Sequence, residues 1–155
     1  MMFIRAVNES DLSLILQWRN SNVVRENSLK KEVIQKNEHE RWFKKALEEK
    51  NRFVYIASEE KKKIGVLSFL KIDDHKSEVS IYLNPDMIGL GYGTRLLKQG
   101  VENYLLDYPK VKKITATILK DNIPSIKTFE KCGFKKTYFP DSLSSLNQFS
   151  FEIEL

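Results

Sequence analysis

With 155 residues, of which 41% are hydrophobic, 11% aromatic and 30% charged, the chain has the size and balance of one globular domain, residues 1–155; a disordered or fibrous polypeptide is excluded. No apolar run approaches the ~20 residues of a membrane span, no signal-peptide stretch opens the sequence, and the lone Cys132 excludes a disulfide framework or a Cys-rich metal site, so the expected setting is cytoplasmic, with no membrane and no metal. Lys and Arg number 26 against 21 Asp and Glu, a net charge of +5, which favours an anionic partner, whether nucleic acid, a phosphate-bearing cofactor or acidic lipid; the lysines are spread in short clusters at turns, which weighs against nucleic acid.

Residues 2–7 read as a first strand. Asn8 or Ser10 can cap a helix with Leu12, Ile15, Leu16 and Arg19 along one face. Residues 21–36 are polar and read as a short helix followed by a loop. Asn37 and Glu40 have capping-box spacing, and the helix they open sets Trp42, Phe43, Ala46 and Leu47 on one stripe. Residues 52–57 and 64–70 read as an antiparallel strand pair joined by a Lys/Glu turn at 59–63. Residues 78–83 alternate, apolar at Val79, Ile81 and Leu83, so Glu78, Ser80 and Tyr82 share the other face; Asn84-Pro85-Asp86 ends that strand. A helix over 93–107 turns Leu97, Val101, Tyr104 and Leu105 inward, and 114–118 is a further strand. Asn122 opens a helix with Ile126 and Phe129 inward, closed by Gly133. Strands at 134–139 and 148–155 complete the order β-α-α-β-β-β-α-β-α-β-β, an α/β (α+β) mixed sheet with helices on both faces.

Three of the six glycines fall in one five-residue window, Gly89-Leu90-Gly91-Tyr92-Gly93, between a strand and a helix. Such a turn aims free backbone N–H groups and the helix dipole at one point, where a phosphate is the natural occupant. Thr94 breaks the G-x-G-x-x-G pattern of a dinucleotide site, and Gly93-Thr94-Arg95 is not a Walker lysine loop. What remains is the pyrophosphate of a pantetheine carrier.

The glycine loop, Leu83-Asn84-Pro85 before it, and Asn122-Ile123-Pro124-Ser125-Ile126-Lys127-Thr128-Phe129-Glu130-Lys131-Cys132-Gly133-Phe134 after it resemble the GNAT superfamily of acyl-CoA-dependent N-acetyltransferases. The resemblance runs from residue 3 to about 139. Two positions depart from the family pattern: Ile88 stands where the loop usually carries Gln or Arg, and Phe129 where the later segment carries Tyr. Trp18-Arg19-Asn20, Val24-Arg25, Glu38-His39 and Trp42-Phe43, with Glu78 and Tyr82, resemble in particular the enzymes that acetylate 4-amino sugars on nucleotide carriers in pseudaminic-acid-type pathways; the layout is shared with ribosomal-protein N-terminal acetyltransferases.

The resemblance implies a GNAT-like, predominantly antiparallel sheet and acetyl-CoA as cosubstrate. It implies that the segment from Ile88 through Gly89, Gly91, Tyr92 and Gly93 to Thr94 holds the pyrophosphate. Tyr82 and Leu83 would pair by backbone with pantetheine, which Asn122, Ser125 and Phe129 flank. A neutral amine is needed for attack, so Glu78, or His39 with its better intrinsic pKa, is the candidate base, and Tyr82 joins them in the catalytic set. Phe129 cannot protonate a leaving thiolate, which leaves Ser125 or Tyr138 for that task. Trp18, Arg19, Arg25, Trp42 and Tyr138 are the candidate acceptor contacts, since arginines grip a diphosphate and aromatic faces take a base or sugar ring. The expected acceptor is a small-molecule amine, the 4-amino group of a nucleotide-linked amino sugar; a protein N-terminus or another small-molecule amine is the alternative, and a non-catalytic acyl-CoA-binding module is the reading from another class. Oligomeric state is left open, a homodimer being one option. Cys132 reads as a packed thiol, not a nucleophile.

Overall fold

A computed structural model describes residues 2–137 and 147–155. Seven strands form one sheet in the order β1-β2-β3-β4-β5-β7-β6: β1 (Met2–Ala6), β2 (Arg52–Glu59), β3 (Lys62–Lys71), β4 (Lys76–Leu83), β5 (Lys113–Leu119), β6 (Lys135–Thr137) and β7 (Gln148–Glu154). Every pairing is antiparallel except that of β4 with β5. Among the described residues five α-helices complete it: α1 (Leu12–Arg19), α2 (Asn22–Glu26), α3 (Lys36–Glu48), α4 (Tyr92–Asp107) and α5 (Ile123–Lys131).

The period-2 alternation of the strands sorts side chains onto two faces. On one face, Leu67 and Phe69 of β3, Val79 of β4, Ile114, Ala116 and Ile118 of β5 and Phe151 of β7 pack under Leu96, Leu97, Val101 and Tyr104 of α4 and Phe129 of α5. Tyr104 stacks on Phe69 with ring centroids 3.9 Å apart and planes 1° from parallel, and its hydroxyl shares a 2.7 Å hydrogen bond with Ser77 Oγ. Gly100 makes the close approach of α4 possible: a Cβ there would lie 2.0 Å from Leu67 Cδ2. On the other face, Ile15 and Trp18 of α1 and Phe43 of α3 cover Val54 and Ile56 of β2 and Val66 of β3, reaching Tyr82 at the end of β4. That cluster does not extend along β4: Ser80 is exposed and Glu78 half-buried.

Asn8, of the two candidates, is the cap; its side chain accepts from Ser10 N and Asp11 returns to Asn8 N, a complete capping box on a 3-10 turn that leads into α1. Arg5 fixes this turn to β1 with two 2.8 Å bonds to Asp11, and that pairing holds the Asp11 carboxyl below its ordinary range. The box expected at Asn37 and Glu40 does not form. Here α3 starts at Lys36 with Gln35 as its uncapped N-cap, and Asn37 Oδ1 turns to Glu38 N instead. The stripe on α3 is also narrower than its apolar residues imply: His39, Phe43 and Ala46 are buried, while Trp42 and Leu47 are 43% and 42% exposed. In the polar stretch after α1, Asn20 acts as a substitute strand edge, donating to Ile34 O at 2.9 Å and accepting from Ile34 N at 2.8 Å.

Replacing Tyr104 by Phe leaves the fully buried Ser77 hydroxyl unpaired, which costs about 1–3 kcal/mol. Thermal melts should show Tyr104→Phe several degrees less stable than the parent, and the double variant Ser77→Ala/Tyr104→Phe restored most of the way.

Candidate active site

The sheet is divided near its centre. β4 and β5 pair over three rungs only, Lys76 with Lys113, Ser77 with Ile114 and Glu78 with Thr115. β4 then continues to Leu83, paired with β3 alone, while β5 continues to Leu119, paired with β7 alone. Two mid-sheet strands therefore diverge and present facing edges whose backbone groups have no ladder partner across the gap. An extended, amide-bearing chain is what such a fork accommodates, as β-strand addition does at a sheet edge.

The fork opens toward the glycine loop. Gly89 and Gly91 adopt φ of 81° and 84°, in the left-handed region. Gly91 is the N-cap of the 16-residue α4, with no side chain capping the first amides, so Tyr92, Gly93 and Thr94 N–H groups are left for an anion. No Cβ built at Gly89 or Gly91 meets another atom within 4 Å; the need for glycine there lies in the backbone dihedral. Gly93 sits against α5, 3.5 Å from Thr128 Oγ1 measured from a built Cβ. Ile88 is 40% exposed, and the Tyr92 ring lies under Arg95, which pairs with Glu59 at 2.9 Å. On the other arm, Asn122 Oδ1 accepts from Ser125 N at 3.3 Å, capping α5, and Asn122 Nδ2 reaches Asn27 O at 3.5 Å. Phe129 is 2% exposed, edge-on to Phe134 at 4.9 Å. Cys132 Sγ donates to Thr94 O at 3.6 Å and burial raises its pKa, so it joins α5 to α4 as a packed thiol.

The remaining candidates divide into those at the fork and those behind it. Glu78 occupies the last paired rung. Tyr82 shares its face, four residues on; burial pushes its phenol far up, against a smaller opposing pull from Arg19, so it stays protonated. The Arg19 guanidinium, itself lowered by burial, donates to Ser28 Oγ at 2.8 Å and Lys30 O at 3.2 Å. Arg25 donates to Lys31 O at 3.1 Å. Both arginines thus hold the segment after α2. Trp18 is 4% exposed and belongs to the core. His39 is 3% exposed, with Trp42 stacked on it at 5.8 Å, and its Nε2 has no hydrogen-bond partner among the described residues; it lies behind the wall formed by α1 and α3. Tyr138 lies outside the described residues. Thr115 and Thr117, which the sequence did not single out, are polar positions alternating with buried Ile114, Ala116 and Ile118; the alternation that singled out Glu78 also marks these two.

Among the described residues no helix is long and apolar enough to cross a membrane, and no group of three His, Cys, Asp or Glu residues forms a metal site. The family model for the acetyltransferase (GNAT) domain matches residues 2–135. Among curated relatives, acetyltransferase PseH of Campylobacter jejuni is 26% identical over 128 residues, 83% of this chain and 79% of that protein. Among solved structures, a domain from Methanocaldococcus jannaschii superposes with a TM-score of 0.83 at 28% identity, covering 100% of this chain and 99% of that one. The structure of Campylobacter jejuni N-acetyltransferase PseH in complex with acetyl coenzyme A superposes with a TM-score of 0.74 at 19% identity, covering 99% of both chains.

Two outcomes follow from this geometry. Burial lowers the His39 pKa from 6.5, with Arg19 adding to the shift and a backbone hydrogen bond with Leu12 and the Glu40 charge opposing it. The unfolded chain then takes up a proton that the folded chain resists, so the stability from a neutral His39 is present above about pH 6.5 and is lost as pH falls below it. Urea midpoints between pH 7.5 and 5 should fall more steeply for the parent than for His39→Phe. Gly91→Val forces a β-branched residue into positive φ at the mouth of the fork; calorimetry should show acetyl-CoA affinity lowered at least tenfold in a variant that still melts cooperatively.

Proposed function

The chain belongs to the GNAT acetyltransferase family and is an acetyl-CoA-dependent N-acetyltransferase, and on that premise we propose that its acceptor is the 4-amino group of a nucleotide-linked amino sugar. Acetyl-CoA supplies an activated acetyl thioester. The residues fit its parts: the uncapped amides of Tyr92, Gly93 and Thr94 suit a pyrophosphate, and the unpaired edge of β4 up to Tyr82 and Leu83 suits the amides of a pantetheine arm. Asn122, Ser125 and the buried Phe129 flank that arm on α5.

Glu78 is the base that this reading favours. It stands on the acceptor face at the vertex of the fork, within a strand that is otherwise apolar or hydroxylic on its open edge. His39, enclosed behind α1, is a packing residue in this reading. Tyr82, protonated at any working pH, supplies a hydrogen-bond donor on the same face. Ser125 stands four residues before Phe129 on α5, and in this reading it takes the role of thiolate proton donor.

The observation that carries the acceptor assignment is the charge on the segment after α2. Arg19 and Arg25 meet there with Lys30 and Lys31, beside the Asn27 carbonyl that touches Asn122. Each arginine commits only part of its donor fork, leaving N–H groups for a diphosphate. Trp42, 43% exposed on the neighbouring helix, offers a ring face. The likeness of Trp18-Arg19-Asn20 and the segments after it to the amino-sugar enzymes, and the relative PseH, support the same assignment.

Acetyl-CoA turnover measured side by side against 4-amino-sugar nucleotides and N-terminal peptides tests it. The amino-sugar nucleotide should be the better acceptor; Arg19→Ala and Arg25→Ala should each raise its KM about tenfold or more with acetyl-CoA KM unchanged. Glu78→Gln should depress the rate most below the pKa of the acceptor amine. Turnover of the peptide alone overturns the acceptor assignment and leaves the acetyltransferase.

A further inference from the structure

Strand parity places more than Glu78 on the open side of the sheet. Glu78 pairs with Thr115 across the last rung of the fork, and Thr115 pairs with Glu152 of β7. One step further toward the fork opening, Thr117 pairs with Ser150, and Ser80 faces the gap from β4. Because Ile114, Ala116 and Phe151 point to the α4 and α5 core, all six of these polar side chains point the other way. The α1 and α3 cluster ends at Tyr82 and covers none of them.

Their hydrogen bonding separates the six. Ser80 Oγ is taken by Ser68 Oγ at 2.7 Å. Glu152 is held by Lys113 at 3.7 Å and Ser150 is buried. The Thr115 and Thr117 hydroxyls are half-buried, and neither has a hydrogen-bond partner among the described residues. Two threonines separated by one residue on a strand lie about 6.6 Å apart, the span of a single six-membered ring. A hydroxyl both donates and accepts, so the pair matches groups that do the same. Lys113 balances the charge of Glu152, so that carboxylate suits a neutral donor better than a second cation.

We propose that Thr115 and Thr117, backed by Glu152, recognise ring hydroxyls of the acceptor, and that the ligand class of this strip is a neutral polyhydroxylated ring carrying the reactive amine. The inference rests on the amino-sugar reading above and adds the residues that read the ring. It also sets the acceptor's direction: ring and amine lie deep, against Glu78 and β5, and the charged diphosphate of the nucleotide extends outward toward Arg19 and Arg25.

The test uses the full chain at saturating acetyl-CoA with three amines: a 4-amino-sugar nucleotide, a free aminohexose, and cyclohexylamine, which keeps the ring and the amine and lacks the hydroxyls. Thr→Val is nearly isosteric, so Thr115→Val and Thr117→Val should melt within a degree or two of the parent. Each should raise KM for both sugars roughly fivefold, one neutral hydrogen bond's worth, with cyclohexylamine and acetyl-CoA KM unchanged. Thr115→Ser and Thr117→Ser, which keep the hydroxyl, should restore sugar KM. Unchanged sugar KM in both Val variants, or an equal rise for cyclohexylamine, overturns the proposal. Turnover of the aminohexose with no turnover of the nucleotide sugar, the Val effect persisting, overturns the nucleotide assignment and upholds this one. Turnover of neither sugar overturns both.

Discussion

Three rungs of parallel ladder hold β4 to β5, and the loss of that pairing beyond Glu78 and Thr115 is the constraint on which the rest of the structure depends. A gap in the middle of a sheet exposes two rows of backbone donors and acceptors, and a sheet left to itself would close it. Here the strands are kept apart by what each must do next. β4 is tied away toward β3 at its end, where Asn84 N donates to Ile64 O at 2.8 Å and Asn84 Nδ2 to Lys63 O at 2.9 Å, and Pro85 prevents its continuation. β5 is drawn the other way by seven rungs to β7. The helices that follow, α4 and α5, meet at Gly93 and Thr128, which sets the first turn of α4 against α5.

The wall on the acceptor side is built by different means. Its apolar part is the small cluster of Ile15, Trp18, Phe43, Val54, Ile56 and Val66; its polar part is a set of side chains acting as backbone. Asn20 pairs with both the N–H and the carbonyl of Ile34, and Arg19 and Arg25 take the carbonyls of Lys30 and Lys31. Irregular chain beside a cleft must satisfy its own hydrogen bonds without a ladder, and here three polar residues from α1 and α2 meet part of that need. An arginine that holds a loop in this way is itself fixed in place.

Features with a local cause were legible in the sequence. The alternation of residues 78–83 placed Glu78 and Tyr82 on one face, three close glycines marked the turn that opens α4, and Asn122 was recognisable as a cap because its partner, Ser125, is three residues away. Features that depend on distant partners were not. The box expected at Asn37 lost to an earlier helix start at Lys36, with Gln35 as N-cap, and the outward turn of Trp42 follows from how narrow a stripe of α3 meets β2. His39 has the residue type of a base, yet its burial by α1 and Phe43 cannot be read from its neighbours in sequence. Trp18, equally suited to a ring platform or a core, is in the core. The open face of β5 was visible in its alternation, but its meaning depends on β7 packing beside it, a pairing between residues 29 to 41 positions apart.

The sheet separates two kinds of chemistry by odd and even position alone. In β4, Ser77, Val79 and Ile81 serve the packed interior, and Glu78, Ser80 and Tyr82 serve the cleft. A chemically mild substitution at any of these stays on its own side. A single inserted or deleted residue before Glu78 does not: it rotates every following side chain by half a period, carrying Val79 into the cleft and Glu78 under Tyr104. This strand therefore combines high tolerance of altered side chains with almost none for altered length, and variation in its spacing among related chains should be confined to the turn at 72–75 before it and to the loop from Asn84 onward.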